Sequence, residues 1–448
     1  MCFLKPYAFV FSLAIASLVN ACYAADLPGK PADPLAVNDI SWLLPMPEKP
    51  ADFAKAISLQ DVLGPPDPGS SAPGPVWSDN AMKQYFGLAS SKFGKVEGTE
   101  FSIVLADRLK DRAVWHISGV RIDPGAPGAT DGVAAQFGQQ PQIRLIAQPV
   151  IKGADGTPEV LDIAAHLIYS YSTRSDIFAQ AGCFPKQIPN TEKVEEIARD
   201  VQNLKMRLAQ GEIGGKKVET ADALLGLHPA FKSGATAVAF RDEILAFLNR
   251  RLPEGRLTSM AIAGRPGDNG DAWIFLAMGE NPRAPGEFFP VPSPALNGAQ
   301  FSQMLTFSGA GNILPSPAPN NLNATTCQHA ALQPPLALEG RKGLATAELF
   351  SGKPSKERVK EIVDLIGDPV KSHFFNTDCL SCHTDTRLGV EFMGVGAFPG
   401  IDPDVLPKDI HNVRNLGWFP DEGPTATNRT LTETVESLVF FNEHVLGK

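Results

Sequence analysis

Cys379-Leu380-Ser381-Cys382-His383 is the stretch around which the fold and chemistry of this 448-residue chain are organised. Its two thiols stand three positions apart, so each can add to one vinyl group of the same porphyrin. The histidine that follows then lies under the iron and can supply a neutral imidazole as the proximal ligand. The spacing therefore predicts one covalent c-type haem, bound by Cys379, Cys382 and His383.

Three other chemistries fit the same residues. A zinc ion could be held by Cys379 and Cys382 together with His373 or His383. The two cysteines could instead form a dithiol redox pair of the C-x-x-C kind. A structural disulfide is the poorest fit, because so short a loop strains the bridge. The choice among them depends on the compartment in which the chain works.

The start of the chain has the organisation of an export signal. Lys5 provides a positive charge ahead of an apolar run that is too short for a comfortable membrane span. A small-x-small cleavage site ends the segment, so residues 1–24 are predicted to be a signal peptide. Cys22 also allows a lipid anchor, although Asn20 fits the lipoprotein pattern badly. We therefore expect a periplasmic or otherwise exported protein, which is where haem is attached to such motifs.

Composition limits the partners. The chain carries 40 Lys and Arg against 49 Asp and Glu, a net charge of −9, and has no basic cluster. This balance argues against nucleic acid or an anionic membrane surface as a partner. No later segment has the length of a transmembrane helix. A redox partner protein is the expected partner, and the sequence does not fix the oligomeric state.

Two cysteines are left over after the other four are assigned. Of the six in the chain, Cys2 leaves with the signal, Cys22 leaves or is lipidated, and two belong to the motif. Cys183 and Cys327 remain, and in an oxidising compartment such a pair is most simply a disulfide. The alternative is two separate buried thiols.

The chain ahead of the motif predicts an α+β domain with a mainly antiparallel sheet over residues 100–345. It follows an irregular segment, 25–99, that is rich in Pro, Gly and Ser and has one short helix near 81–86. Apolar spacing predicts helices over 191–210 and 235–252. Runs of β-branched and aromatic residues between Gly and Pro turns predict strands over 100–106, 114–122, 143–151, 161–172, 257–263, 272–278 and 301–307.

The same region contains no recognisable catalytic pattern. It has no G-x-S-x-G, no H-E-x-x-H and no phosphate-binding glycine loop. The turn 266–271 has calcium-binding residue types but lacks the remaining loop ligands, which favours a solvated turn. His116 and His166 lie within apolar strands, where a lone histidine is usually a core residue. What this domain binds does not follow from the sequence.

Helices are predicted on both sides of the motif. One begins at Ser355 and ends at Gly367, with apolar residues at helical spacing. A terminal helix is indicated by Thr430 and Glu433, whose types and spacing match a capping box. A helix before the motif and an aromatic helix at the C-terminus are the two that cross in small c-type cytochromes.

On these features, residues 350–448 resemble a single-haem cytochrome c domain. The resemblance covers about the last fifth of the chain. It implies an all-α fold in which Cys379, Cys382 and His383 occupy the haem-binding positions. The helices are generic, so the motif carries most of the likeness.

The resemblance leaves the sixth iron ligand open. In the family this ligand is usually a methionine well downstream, whereas here the only downstream methionine is Met393, ten residues after the motif histidine. His411 is the other main candidate. His444, His373 or an open position are further alternatives. Histidine ligation would give a lower reduction potential than methionine ligation.

Residues 411–419 resemble the segment after the motif in bacterial haem peroxidase-like cytochromes, where an Arg-Asn pair lies near the haem. Arg414 is accordingly the candidate partner of a haem propionate, since a guanidinium binds a carboxylate through two hydrogen bonds. An exposed surface arginine is the alternative.

Two classes of function follow. The first is an exported electron-transfer protein in which the haem passes single electrons. The second is a haem-dependent oxidoreductase, peroxidase-like or a dehydrogenase, acting on a substrate that the sequence does not identify. The lack of a second C-x-x-C-H argues against a di-haem peroxidase, and the lack of catalytic patterns upstream favours electron transfer.

Overall fold

The computed structural model describes residues 34–67, 69–89, 92–96, 99–102, 107–125, 140–174, 187–264, 272–281, 284–290, 300–306, 313–317, 337–338, 341–342, 355–372, 379–409, 411–420 and 422–447. Residues 34–448 form one compact unit. The expected signal peptide, the Cys183–Cys327 pair and His373 lie outside the described residues, as does the side chain of Cys379.

The described part contains seven α-helices and twenty strands. The helices are α1 Val37–Ile40, α2 Asp79–Ala89, α3 Thr191–Gln210, α4 Gly234–Arg251, α5 Lys356–Gly367, α6 Cys379–Met393 and α7 Asn428–Phe440. The strands are β1 Ser41–Leu43, β2 Leu63–Gly64, β3 Gly74–Pro75, β4 Lys92–Val96, β5 Thr99–Ser102, β6 Trp115–Asp123, β7 Gln142–Lys152, β8 Pro158–Val160, β9 Ile163–Ser170, β10 Ser172–Arg174, β11 Gln187–Pro189, β12 Arg256–Gly264, β13 Ala272–Glu280, β14 Phe288–Pro290, β15 Gln300–Thr306, β16 Ile313–Pro317, β17 Ala337–Leu338, β18 Arg341–Lys342, β19 Leu416–Phe419 and β20 Gly423–Ala426. None of the described helices is both long enough and apolar enough to cross a membrane.

One large sheet organises the molecule. Its strands follow the order β1-β6-β7-β9-β12-β13-β15-β16, with β8 added to β7 and β14 added to β13. Every neighbouring pair is antiparallel, which confirms the predicted mainly antiparallel sheet. The strands β6, β7, β9, β12, β13 and β15 lie within two residues of their predicted bounds. Runs of β-branched and aromatic residues between Gly and Pro turns therefore located most of the sheet correctly.

The first face of the sheet packs against α3 and α4 in the main core. The helix α3 has the predicted bounds 191–210, because Asn190 caps its start by accepting from the Lys193 amide and Gly211 ends it with φ +79°. Alternate strand residues supply the other side of this core, among them Trp115, Ile117, Val120, Leu145, Leu167, Tyr169, Met260, Ile262, Leu276 and Met278.

The second face of the sheet is covered by the C-terminal region. Ile146 and Ala164 of the sheet share a core with Val359 and Ile362 of α5 and with Leu416 of β19. The segment that carries the Cys-x-x-Cys-His motif therefore packs directly on the large sheet.

The expected all-α fold of the C-terminal region is wrong, because β19 and β20 form an antiparallel hairpin there. Gln148 of β7 explains where the hairpin docks. Its side-chain nitrogen donates to the Trp418 carbonyl at 2.7 Å, and its oxygen accepts from the Trp418 amide at 2.7 Å. Gly417 has φ +151°, and a Cβ on it would lie 2.7 Å from the Gln148 side-chain oxygen. Only glycine allows this approach.

The predicted capping box of the terminal helix is also wrong. The helix α7 begins three residues earlier, with Thr427 as the cap, whose side chain accepts from the Thr430 amide. Glu433, the expected reciprocal partner, instead accepts from Nε of Arg429 at 2.7 Å and pairs with Arg121 of β6. Hydrogen bonds from two charged guanidinium groups are stronger than one from a backbone amide, so Glu433 binds the arginines and does not cap the helix.

Candidate functional site

The first turn of α6 presents the motif residues on one side. Positions 379, 382 and 383 are spaced i, i+3 and i+4, so they share one face of the helix. Cys382 and His383 are half-buried. The ring centroid of His383 lies 4.8 Å from that of Phe275 on β13. The motif therefore faces the second face of the sheet.

The imidazole of His383 is oriented by the backbone. Its Nδ1 lies 2.8 Å from the Val413 carbonyl oxygen, in the loop that follows α6. A carbonyl can only accept, so Nδ1 carries the hydrogen and Nε2 keeps its lone pair. Metal-binding histidines commonly have this arrangement, in which the second nitrogen is fixed by a backbone acceptor.

Burial, with a smaller effect of the nearby Arg414, lowers the pKa of His383 to about 4, although the hydrogen bond to the Val413 carbonyl opposes the shift. The imidazole is therefore neutral at neutral pH. This is the protonation state that binds a metal ion.

Opposite the motif, the sheet presents a set of half-buried side chains, which we call the sheet patch: Arg144, His166, Ile168, Ser259, Ala261 and Ala277. They occupy two adjacent rows across the strands β7, β9, β12 and β13. One row runs from Arg144 through Ile168, and the other from His166 through Ala261 to Ala277. The residues that alternate with them along each strand are buried in the main core.

Arg144 is the charged member of the sheet patch. It makes no hydrogen bond or ion pair within the described part of the chain, and its Nε is completely buried without a partner. The nearby carboxylate of Glu433 is already taken by Arg121 and Arg429. Burial and the neighbouring Arg121 lower the pKa of Arg144. A deep, unpaired guanidinium of this kind is suited to an anionic group.

His166 is the titratable member of the sheet patch. Among the described residues it has no hydrogen-bond partner. Burial, with the charges of Arg144 and His383 nearby, holds its pKa well below the ordinary value. The sequence suggested a core histidine, but here the ring is neutral, partly accessible and on the same side of the sheet as the motif.

The expected propionate partner Arg414 is engaged within the protein. It is buried, donates from Nη1 to the Ala263 carbonyl and forms an ion pair with Asp162. Its Nε has no partner. This arrangement ties the loop that orients the motif histidine to the ends of β9 and β12.

Of the expected sixth ligands, Met393, His411 and His444 are described, and the structure does not bring these three together with the metal-binding nitrogen of His383. Met393 lies on the same helix as His383, ten residues on, so their Cα atoms are about 15 Å apart along the axis. His411 is half-buried, and its Nδ1 lies 3.4 Å from Oδ1 of Asp409. It belongs to the loop that binds the Nδ1 side of the motif imidazole. His444 is exposed and contacts Phe440 beyond the end of α7.

Sequence reasoning missed Arg144 and His166 as site residues. A signal for Arg144 is present, because polar and apolar residues alternate at the start of β7, in Gln142, Ile143, Arg144 and Leu145. Such alternation marks a strand whose second face is not a plain apolar core. His166 has no comparable signal, since its role depends on what packs opposite.

Within the described ranges, no group of three or more His, Cys, Asp or Glu side chains is placed to hold a metal ion. No family model matches the sequence, and comparisons with curated proteins and with solved structures find no significant match.

Proposed function

We propose that this protein is an exported c-type cytochrome that carries one covalent haem and transfers single electrons to and from a redox partner protein. In this proposal Cys379 and Cys382 form the thioether bonds and His383 is the proximal ligand. The bound haem iron would supply the one-electron chemistry.

The hydrogen bond from His383 Nδ1 to the Val413 carbonyl carries the proposal. It fixes the tautomer and the ring plane, and it leaves Nε2 free to coordinate iron. A histidine in a dithiol redox pair would need no such orientation. The motif spacing on one helical face supports the same assignment, because both thiols and the imidazole must reach one porphyrin.

The sheet patch fits a haem in two respects. Two of its residues, Ala261 and Ala277, have small and half-buried side chains. Arg144 offers an unpaired cation deep in the protein, and a haem propionate is an anion that could pair with it. The residues of the chain would thus bind the porphyrin edge and orient the proximal imidazole.

The test is covalent haem content in a host that matures c-type cytochromes. The wild-type protein should keep its haem on a denaturing gel and give a c-type pyridine haemochrome. Replacing both Cys379 and Cys382 with Ala should abolish the covalent signal while leaving the sheet folded, because a single remaining thiol could still form one thioether bond. Replacing both Cys183 and Cys327 with Ala is the matched control, since these two cysteines lie outside the motif and their removal should leave haem attachment intact. A wild-type protein without covalent haem under these conditions would refute the proposal.

A haem-dependent oxidoreductase is the second candidate, favoured by the accessible surface of the sheet patch. If no protein group filled the sixth position, that space would admit a small substrate or peroxide beside the iron. High-spin iron in the purified wild-type protein would support this alternative, whereas low-spin iron with two protein ligands would support electron transfer.

A further inference from the structure

We infer that His166, on strand β9 of the large sheet, supplies the second axial ligand, so that one haem is shared between the sheet and the C-terminal motif. This inference rests on the proposed haem function and adds a ligand to the same site. It also gives the sheet a role, which is to complete the iron coordination that the motif begins.

The register of the sheet places His166 beside the motif. His166 pairs with Ala261, which pairs with Ala277. Phe275, two residues from Ala277 on the same face of β13, contacts the ring of His383. From strand spacing and rise, the Cα atoms of His166 and Phe275 are roughly 12 Å apart. The two imidazoles therefore approach the same space from two directions.

The sheet residues that lie beside His166 on the side of β12 are small. Ala261, which lies next to His166 in its row, has only a methyl side chain and is half-buried. In the adjacent row Ser259 is also small and half-buried. Small side chains at these positions place little steric hindrance between the two imidazoles and one iron.

His166 is available as a ligand because nothing else engages it. Within the described part of the chain it makes no hydrogen bond, in contrast to His116, whose Nδ1 lies 3.2 Å from the Val114 carbonyl oxygen. The ring nitrogens of His166 are not among the fully buried polar atoms without a partner, so they remain accessible. An accessible neutral imidazole can coordinate iron without first breaking a hydrogen bond within the protein.

The other histidines and the methionine are placed less well. Met393 is about 15 Å along α6 from His383. His411 lies in the loop that accepts the Nδ1 hydrogen, on the side of the imidazole away from the metal-binding nitrogen. His444 is exposed beyond α7. Of the histidines that the structure describes, His166 alone combines a place in the sheet patch with a free ring.

The experiment is a set of visible and electron paramagnetic resonance spectra of the full-length, haem-loaded protein. His166→Ala should convert low-spin iron to high-spin iron, and added imidazole should restore the low-spin spectrum. His116→Ala is the matched control, because it removes a second strand histidine from the same sheet and should leave the iron low-spin. His411→Ala should likewise leave it low-spin.

A second variant keeps the test decisive if His166→Ala does not fold. His166→Met retains a ligand and should stay low-spin with a raised reduction potential, since methionine replaces histidine. An unchanged low-spin spectrum in His166→Ala, or an unchanged potential in His166→Met, would overturn the inference. High-spin iron in the wild type would overturn it too. In each of these cases the covalent haem remains, so the outcome differs from failure of the proposed function, in which the wild type holds no haem.

Discussion

Arg121 on β6 and Glu433 on α7 form a buried ion pair between residues 312 positions apart in the chain. Glu433 also accepts from Arg429 within α7. Burial alone would raise the pKa of Glu433, but the guanidinium groups of Arg121 and Arg429, with Arg144 nearby, outweigh it and lower the pKa to about 2. The ionised carboxylate therefore holds the terminal helix to the sheet.

Replacing Glu433 with Gln should lower the free energy of unfolding by about 3–5 kcal/mol, because it leaves buried guanidinium groups without a counter-charge. Urea unfolding at pH 7 measures this. Glu361→Gln is the control, since that carboxylate is exposed in a surface pair with Arg358 and its loss should cost less than about 1 kcal/mol. Equal losses in the two variants would contradict the structural role of the pair.

The same ion pair should make the free energy of unfolding fall at low pH. The pKa of Glu433 lies below its ordinary value of 4.5, so its contribution is complete above pH 4.5 and is lost as the pH falls toward 2. The difference in unfolding free energy between the wild type and Glu433→Gln should therefore shrink over this range. A constant difference down to pH 2.5 would show that the carboxylate does not titrate in this way.

The strands of the sheet were predictable because their alternation is local. Ile143 and Leu145 face the main core, and the residues between them face the other way, so the sequence alone defines β7. The position of the hairpin β19–β20 could not be predicted from a local pattern. Its position depends on Gln148, which lies 270 residues earlier and binds the Trp418 backbone. The resemblance to an all-α domain gave no reason to expect it.

Some residues of the candidate site could likewise be predicted from the sequence, and others could not. The motif residues are adjacent in sequence, and their spacing on a helix could be derived directly. The groups opposite, His166 and Arg144, come from strands more than 200 residues away, and only the packing of α6 on the sheet brings them near. Arg414 was predicted from its chemistry to pair with a haem propionate. In the fold it forms an ion pair with Asp162, which lies 252 residues earlier in the chain.

His228 should give a second pH dependence at milder acidity. It is buried, its ring lies 4.2 Å from that of Phe240, and its Nδ1 accepts from the Ala230 amide. Burial lowers its pKa from 6.5 to about 3. The folded protein favours the neutral ring, so the contribution of His228 to the free energy of unfolding is fully present above pH 6.5. Below pH 6.5 this contribution falls by about 1.4 kcal/mol per pH unit, down to about pH 3.

Urea unfolding between pH 8 and pH 4.5 tests this contribution. His228→Phe should remove that part of the pH slope. Phe240→Leu is the control, because it disturbs the same packing but keeps the titrating group and therefore the slope. A slope that is unaltered in His228→Phe would mean that other groups are responsible.

Substitution of Gly417 in the docked hairpin should lower the stability of the protein. A Cβ there would meet the Gln148 side-chain oxygen at 2.7 Å, and the backbone has φ +151°. Gly417→Ala should lower stability by about 1–3 kcal/mol. Gly396→Ala, where nothing lies within 4 Å of the added methyl, should change it by less than about 0.5 kcal/mol. Thermal unfolding of the two variants gives the comparison, and similar midpoints would contradict the docking geometry.

Arg144 should have opposite effects on the haem-free and haem-loaded protein. Without haem its guanidinium makes no hydrogen bond or ion pair within the described part of the chain, and its Nε is fully buried. Arg144→Met in a Cys379→Ala, Cys382→Ala background should therefore raise the unfolding free energy by about 1–3 kcal/mol. With haem, a positive charge close to the iron favours the reduced state, and its removal should lower the reduction potential. Arg199→Met is the control, because this arginine is exposed on α3 and should change neither quantity. A destabilised haem-free variant, or a potential unaffected by Arg144→Met, would show that the guanidinium is not held in place for an anionic group of the haem.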